Sequence, residues 1–139
     1  MTPRVLVDTG PLVAILSRRD HYHRVCVEQL RELTPPLLTC WPVITEAVWL
    51  LRQQPQAVDR LLGGFESGLL KLLPVGEEAV GWIRAFVRRY RKLEPQLADA
   101  ALAHLAEREG IETVFTLDRR DFLVYRVAGG RALNLIPRS

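Results

Sequence analysis

The chain is poor in several things, and each scarcity removes a class of function. It has two cysteines, Cys26 and Cys40, in 139 residues. They form no CxxC and no zinc-like cluster with the three histidines His21, His23 and His104. Two isolated cysteines read as buried, reduced core residues rather than a disulfide framework. No apolar run approaches the ~20 residues of a membrane span. No basic stretch leads into a long apolar segment and cleavage site at the N-terminus, so the expectation is a cytoplasmic chain without a secretory signal or membrane contact. Neither sign of charge dominates: the formal net charge is +3 and the pI about 9.2, a weak lean toward polyanionic partners. Lysine is scarce too. Lys71 and Lys92 are the only two, and the other basic side chains are arginine, which pairs bidentately with phosphate.

What remains is an ordinary globular composition, 48% hydrophobic and 25% charged. At this length one domain over residues 1–139 is the simplest reading. Arg4–Val7 reads as a buried strand, and Pro11 opens an apolar helical run to Leu16. Asp20 is placed to cap a second helix reaching Leu33. Leu37–Thr39 reads as a strand and Pro42–Arg52 as a helix. A further helix runs over Gln56–Glu66, interrupted at Gly63-Gly64, before a strand at Leu69–Leu73. Helices are expected over Glu77–Lys92 and Pro95–Glu109, and strands at Val114–Thr116 and Leu133–Ile136. Strands alternating with helices mean an α/β domain around a mainly parallel sheet flanked by helices. Functional groups of such sheets gather at the carboxyl ends of the strands.

Asp8 stands at such an end, in Val5-Leu6-Val7-Asp8-Thr9-Gly10. By itself Asp-Thr-Gly fits a helix cap, half of an aspartic-protease dyad or a metal ligand. The protease reading needs an all-β frame and two copies sharing a proton; this chain has one copy and long helical segments. Three more acids sit in apolar surroundings near element ends: Glu46 in "WPVITEAVWLL", Asp99 in "EPQLADAALAHLA" and Asp118 in "VFTLDRRDF". Singly, each has an ordinary explanation: a cap for Asp8, a helix macrodipole for Asp99, a turn for Asp118, an arginine pair for Glu46. Together they suggest a cluster. Two carboxylates ~5 Å apart repel by about 3 kcal/mol at an effective dielectric near 20. Such a cluster persists only if protons or cations neutralise it. Hard oxygen ligands select Mg2+ or Mn2+, and carboxylate-held divalent metal serves phosphodiester hydrolysis.

The order "VLVDTGPL", "TEAVWLL", "LADAALAHLA", "TLDRRDF" resembles the PIN-domain nucleases, particularly bacterial and archaeal VapC-type toxins, over nearly the whole chain and including "DHYHRV" after the first helix. The resemblance implies a Rossmann-like α/β/α fold and Mg2+- or Mn2+-dependent ribonuclease activity. For toxin members it implies a homodimer and inhibition by a small antitoxin. Carried over, Asp8 and Asp99 match the family's principal metal-ligand acids, and Glu46 and Asp118 the other two acids of the site. Thr116 matches a hydroxyl beside the last acid, and Asp121 is a possible helper. Gly10 stands where many members have Ser or Asn, so the resemblance implies that a hydrogen bond orienting one of the ligands is missing. Arg119 and Arg120, next to the site, are candidate substrate contacts. Arg84, Arg88 and Arg91 read as a solvated helix face rather than a phosphate track. The histidines read as caps or packing, and Trp41, Trp49 and Trp82 as core or dimer contacts. The other readings are a stand-alone RNA-processing nuclease, a DNA-directed nuclease, and a non-catalytic metal- or RNA-binding module on the same fold.

Overall fold

The computed structural model describes residues 3–138. Five three-residue strands form the central sheet: β1 (Val5–Val7), β2 (Leu37–Thr39), β3 (Leu70–Leu72), β4 (Thr113–Phe115) and β7 (Asn134–Ile136). Their order is β3-β2-β1-β4-β7, and every pairing is parallel. The topology reverses at β1, where β2 lies on one side and β4 on the other. That is the place where an open parallel sheet forms a crevice beyond its strand ends.

The helices are α1 (Thr9–Leu16), α2 (His23–Arg31), α3 (Trp41–Leu50), α4 (Pro55–Ser67), α5 (Val80–Arg89), α6 (Leu97–Glu109) and the short α7 (Arg119–Phe122). A two-stranded antiparallel ribbon, β5 (Arg126–Val127) with β6 (Arg131–Ala132), turns through Gly129 and Gly130, both at positive φ. The core centres on the apolar strands β1 and β4 and on α6. Ala98, Ala100, Ala101, Ala103 and Ala106 are all buried, and such small side chains let a helix backbone lie close to its neighbours. No helix among the described residues is long and apolar enough to cross a membrane.

The expected elements occur, with four differences. Gly63-Gly64 does not interrupt α4. A Cβ on Gly64 would sit 3.2 Å from Leu70 Cδ1, so its absence lets α4 close onto β3. Asp20 does not cap α2, whose first residue is His23. Its Oδ1 accepts from Tyr22 N–H at 2.8 Å, shaping the turn before the helix. The segment expected as one helix from Glu77 to Lys92 begins and ends in 3-10 turns, at Glu77–Ala79 and Arg91–Leu93. The tryptophans divide: Trp82 is half-buried and donates to Glu107 Oε2 at 2.6 Å, whereas Trp41 and Trp49 are each 62% exposed and lie outside the core. Arg52 lies over the Trp49 ring, 3.9 Å from its centroid.

Cys26 and Cys40 are buried and free. His23 packs as expected, its Nδ1 donating to the Ala14 carbonyl at 2.7 Å and tying α2 to α1. Arg84, Arg88 and Arg91 are exposed.

A candidate metal centre at the carboxyl ends of β1 and β4

The sheet ends abruptly where the chain leaves β1 and β4. Asp8 N–H still donates to Phe115 O at 2.9 Å, and Thr116 N–H to Ile136 O at 2.9 Å. The chain then turns away into helices, at Thr9 after β1 and at Arg119 after β4. Asp8 caps α1, its Oδ1 accepting from Thr9 N–H at 2.8 Å. Asp118 caps α7, its Oδ1 accepting from Asp121 N–H at 3.2 Å. Capping explains why acids are tolerated here and does not compete with a ligand role, because a carboxylate has about four lone-pair sites.

The other acids arrive from helices packed beside these turns. Asp99 lies in the first turn of α6 and Glu46 in the middle of α3. Asp8, Glu46, Asp99, Asp118 and Asp121 all line one cleft of about 420 Å³. Within it, Asp99, Asp118 and Asp121 each offer an oxygen within 4.8 Å of the others. Asp121, expected only as a helper, therefore belongs to the tightest set.

Hydrogen bonds fix these carboxylates one by one. Thr116 Oγ1 donates to Asp8 Oδ2 at 2.8 Å and accepts from Asp118 N–H at 3.0 Å. Tyr125 donates its hydroxyl to Asp99 Oδ2 at 3.1 Å. With its amide oriented to satisfy both groups, Gln96 donates to the Glu46 carboxylate. Gln96, Tyr125 and the cleft-lining Glu94 are additions to the residues singled out from sequence. Glu94 carries the one non-glycine positive φ among the described residues, 52°. An isolated glutamate and glutamine at a helix approach carry no sequence signal of their own.

Among the described residues these charges have little cationic support, the exposed Arg120 being the nearest. Asp8 and Asp99 are buried, at 7% and 8% exposure, and Glu46 and Asp118 are partly so. Among the described residues none of these four forms an ion pair; the closest arginine contact is Arg120 to Asp121 at 3.8 Å. Burial and the neighbouring carboxylates push Asp8 up to about 6, against the hydrogen bonds from Thr116 and Thr9. Burial, then the charge of Asp8, pushes Asp99 up to about 7. Glu46 is raised by burial and by Asp99, and Asp118 mainly by burial. An all-oxygen, electron-rich cleft of acids lacking counter-ions suits a hard divalent cation. The donor set fits.

Arg119 and Arg120 differ in availability. Arg119 Nη1 donates to the Pro137 carbonyl at 2.9 Å and is partly buried, whereas the Arg120 side chain is 88% exposed. Gly10 faces Leu117: a Cβ there would stand 3.3 Å from Leu117 Cβ, so any side chain at this position requires Leu117 to move.

Comparison with known proteins identifies the fold and the family. Ribonuclease VapC26 of Mycobacterium tuberculosis is 27% identical over 135 residues, which is 96% of this chain and 100% of that protein. The crystal structure of Mycobacterium tuberculosis VapC20, a sarcin–ricin loop cleaving toxin, superposes at a TM-score of 0.76 and 18% identity, covering 84% of this chain and 91% of that one. VapBC2 from Rickettsia felis, bound to a DNA fragment from its promoter, superposes at a TM-score of 0.62 and 14% identity, covering 94% and 96%. The profile of the PIN domain matches residues 5–129, nearly the whole chain, and the chain belongs to that family.

Proposed function

We propose that this chain is a Mg2+- or Mn2+-dependent endoribonuclease acting as the toxin of a type II toxin–antitoxin pair. The observation that carries the reading is the convergence of six carboxylates in one cleft, Glu94 included, with the exposed Arg120 the one arginine among the described residues that approaches them. Full-length similarity to a protein named as a ribonuclease supports RNA as the substrate. The fold shared with a toxin and with a VapBC assembly supports an antitoxin partner. The chain is read as a homodimer on the family resemblance.

Asp99, Asp118 and Asp121 would hold the ion, with Asp8 and Glu46 completing the acidic wall. When bound, a divalent cation offsets charge on the phosphodiester and lowers the pKa of the attacking water. The chain supplies orientation. Asp8 is pinned at both oxygens, by Thr9 N–H and the Thr116 hydroxyl, so its carboxylate keeps one plane. Gln96 steers Glu46. Preorganised groups of this kind need no rearrangement at the moment of reaction. Arg120, exposed beside Asp121, is positioned to meet the substrate backbone, whereas Arg119 is committed to Pro137.

The test is cleavage of single-stranded RNA by purified protein with Mg2+ or Mn2+. EDTA or Asp8→Asn abolishes it; undiminished cleavage by Asp8→Asn overturns the assignment. The toxin reading has its own test. The wild-type chain expressed alone arrests bacterial growth, and co-expression with a small neighbouring reading frame restores growth and yields a copurifying complex. Harmless expression of active enzyme points instead to a stand-alone RNA-processing nuclease.

A further inference from the structure

Tyr125 is the largest fully buried side chain among the described residues, and it is a phenol with one polar atom. A buried hydroxyl needs a partner, and this one donates to Asp99 Oδ2 at 3.1 Å. The ring is held on three sides. Phe86 of α5 lies 4.8 Å away between centroids, Tyr90 5.0 Å and Phe122 5.0 Å, all in tilted or edge-on arrangements. Aromatic contacts at these separations leave the ring little rotational freedom.

The backbone of the same residue is tied to another acid. Tyr125 N–H donates to the Asp121 carbonyl at 3.2 Å, and Val124 N–H donates to it at 2.9 Å. Arg126 closes the turn from outside, its Nη1 donating to the carbonyls of Leu123, Val124 and Tyr125 at 2.7, 3.2 and 2.9 Å. Its backbone N–H donates to the Tyr90 hydroxyl at 2.9 Å. Tyr125 thus spans a seam. Its side chain grips the carboxylate carried by α6, and its main chain grips the short helix α7 that carries Asp118 and Asp121.

We propose that Tyr125 is a positioning residue that sets the spacing between the Asp99 carboxylate of α6 and the α7 acids, and so the affinity of the cleft for a divalent ion. The inference rests on the metal-centre reading above. Four-residue α7 has little stability of its own, because a single helical turn fixes several residues for few hydrogen bonds. Something else must hold it in register with α6, and the Tyr125 ring in its aromatic box does so. With the hydroxyl gone, Asp99 loses the one hydrogen bond it takes from another side chain and keeps only its backbone bond from Gln96, so its position relative to the α7 acids loosens.

The experiment is Mn2+ titration of the full-length protein, read by the electron paramagnetic resonance of free Mn2+, on wild type, Tyr125→Phe and Tyr90→Phe. Outer partners of metal ligands are worth about ten- to a hundredfold in affinity, and Tyr125→Phe is expected to weaken Mn2+ binding by that factor. Its cleavage rate should recover at high Mn2+, with KM for RNA unchanged. Tyr90→Phe removes a hydroxyl from the same box without touching a carboxylate, and should leave Mn2+ affinity at the wild-type value. Phe122→Leu keeps the Tyr125 hydroxyl but slackens one wall, and should weaken binding severalfold; it serves if Tyr125→Phe does not fold. Wild-type affinity in both Tyr125→Phe and Phe122→Leu overturns the positioning role. Equal weakening by Tyr90→Phe overturns it also, since loss of packing would then suffice. A folded wild type that binds no Mn2+ overturns the metal centre itself, a result distinct from both.

Discussion

Thr116 and Asp8 are joined across the β1–β4 seam by a 2.8 Å hydrogen bond, and the same threonine oxygen accepts from Asp118 N–H at 3.0 Å. One hydroxyl therefore serves two acids more than a hundred residues apart in the chain.

Thr116→Val keeps the shape and deletes the hydroxyl. Asp8 then loses a bond that holds its pKa down, and Asp118 N–H loses its acceptor. Stability should fall by about 1–3 kcal/mol, the usual cost of stranding buried polar groups. The acidic limb of the pH–rate profile should move to higher pH, because Asp8 must now lose its proton from a less supported carboxylate. Thr116→Ser should restore both. Urea melts and pH–rate profiles check the pair.

Metal-free protein should gain stability as pH falls from about 7 toward about 4. Asp8 titrates near 6 and Asp99 near 7 when folded, against the usual ~4 in the unfolded chain. Through that window the folded state binds more protons than the unfolded one. The stabilisation is complete below the unfolded pKa and is lost as pH rises through the folded values. His104 opposes the trend, since burial holds its imidazole below the ordinary range, but it is one group against several raised acids. Denaturant midpoints in EDTA at a series of pH values check the slope. A flat or opposite slope would falsify the repulsive cluster.

Asp99→Asn removes one charge from the crowd. At pH 8 its melting temperature in EDTA should exceed that of the wild type, while the increment gained with added Mn2+ should shrink by mass-action linkage. Thermal scans with and without Mn2+ decide it, and an unchanged Mn2+ increment would separate Asp99 from the ion.

The two arginines after Asp118 should behave differently. Arg120→Ala should raise KM for RNA and flatten its salt dependence with no change in melting temperature, since exposed pairs at such distances contribute little. Arg119→Ala should instead lower stability by about 1 kcal/mol through loss of its bond to the Pro137 carbonyl. Parallel kinetics and melts separate the two roles.

Asp8, Glu46, Asp99 and Asp118 were legible in the sequence because charge in an apolar helix or at a strand end is costly and stands out. The sheet was legible for the same reason, since Val5–Val7 and Leu37–Thr39 alternate with helical periods. Tyr125, Gln96 and Glu94 were not. A tyrosine in "FLVYRV" looks like any core aromatic until α5 and α6 are packed around it. Helix α7 and the β5–β6 ribbon escaped notice because elements of two to four residues have no measurable period; tertiary hydrogen bonds define them. Trp41 and Trp49, read as core or dimer contacts, are exposed on α3, whose core-facing members are Val43, Ile44 and Ala47.

The acids of the cleft are gathered from positions 8, 46, 94, 99, 118 and 121, and Asp8 N–H is anchored to a strand that ends at Phe115. During synthesis the centre therefore stays incomplete until residues more than a hundred positions after Asp8 have been added. Asp8 has no β4 to set it and no Thr116 to hold it until the chain has reached position 116. On the ribonuclease reading proposed above, the centre would be complete only once β4 and Thr116 have joined Asp8.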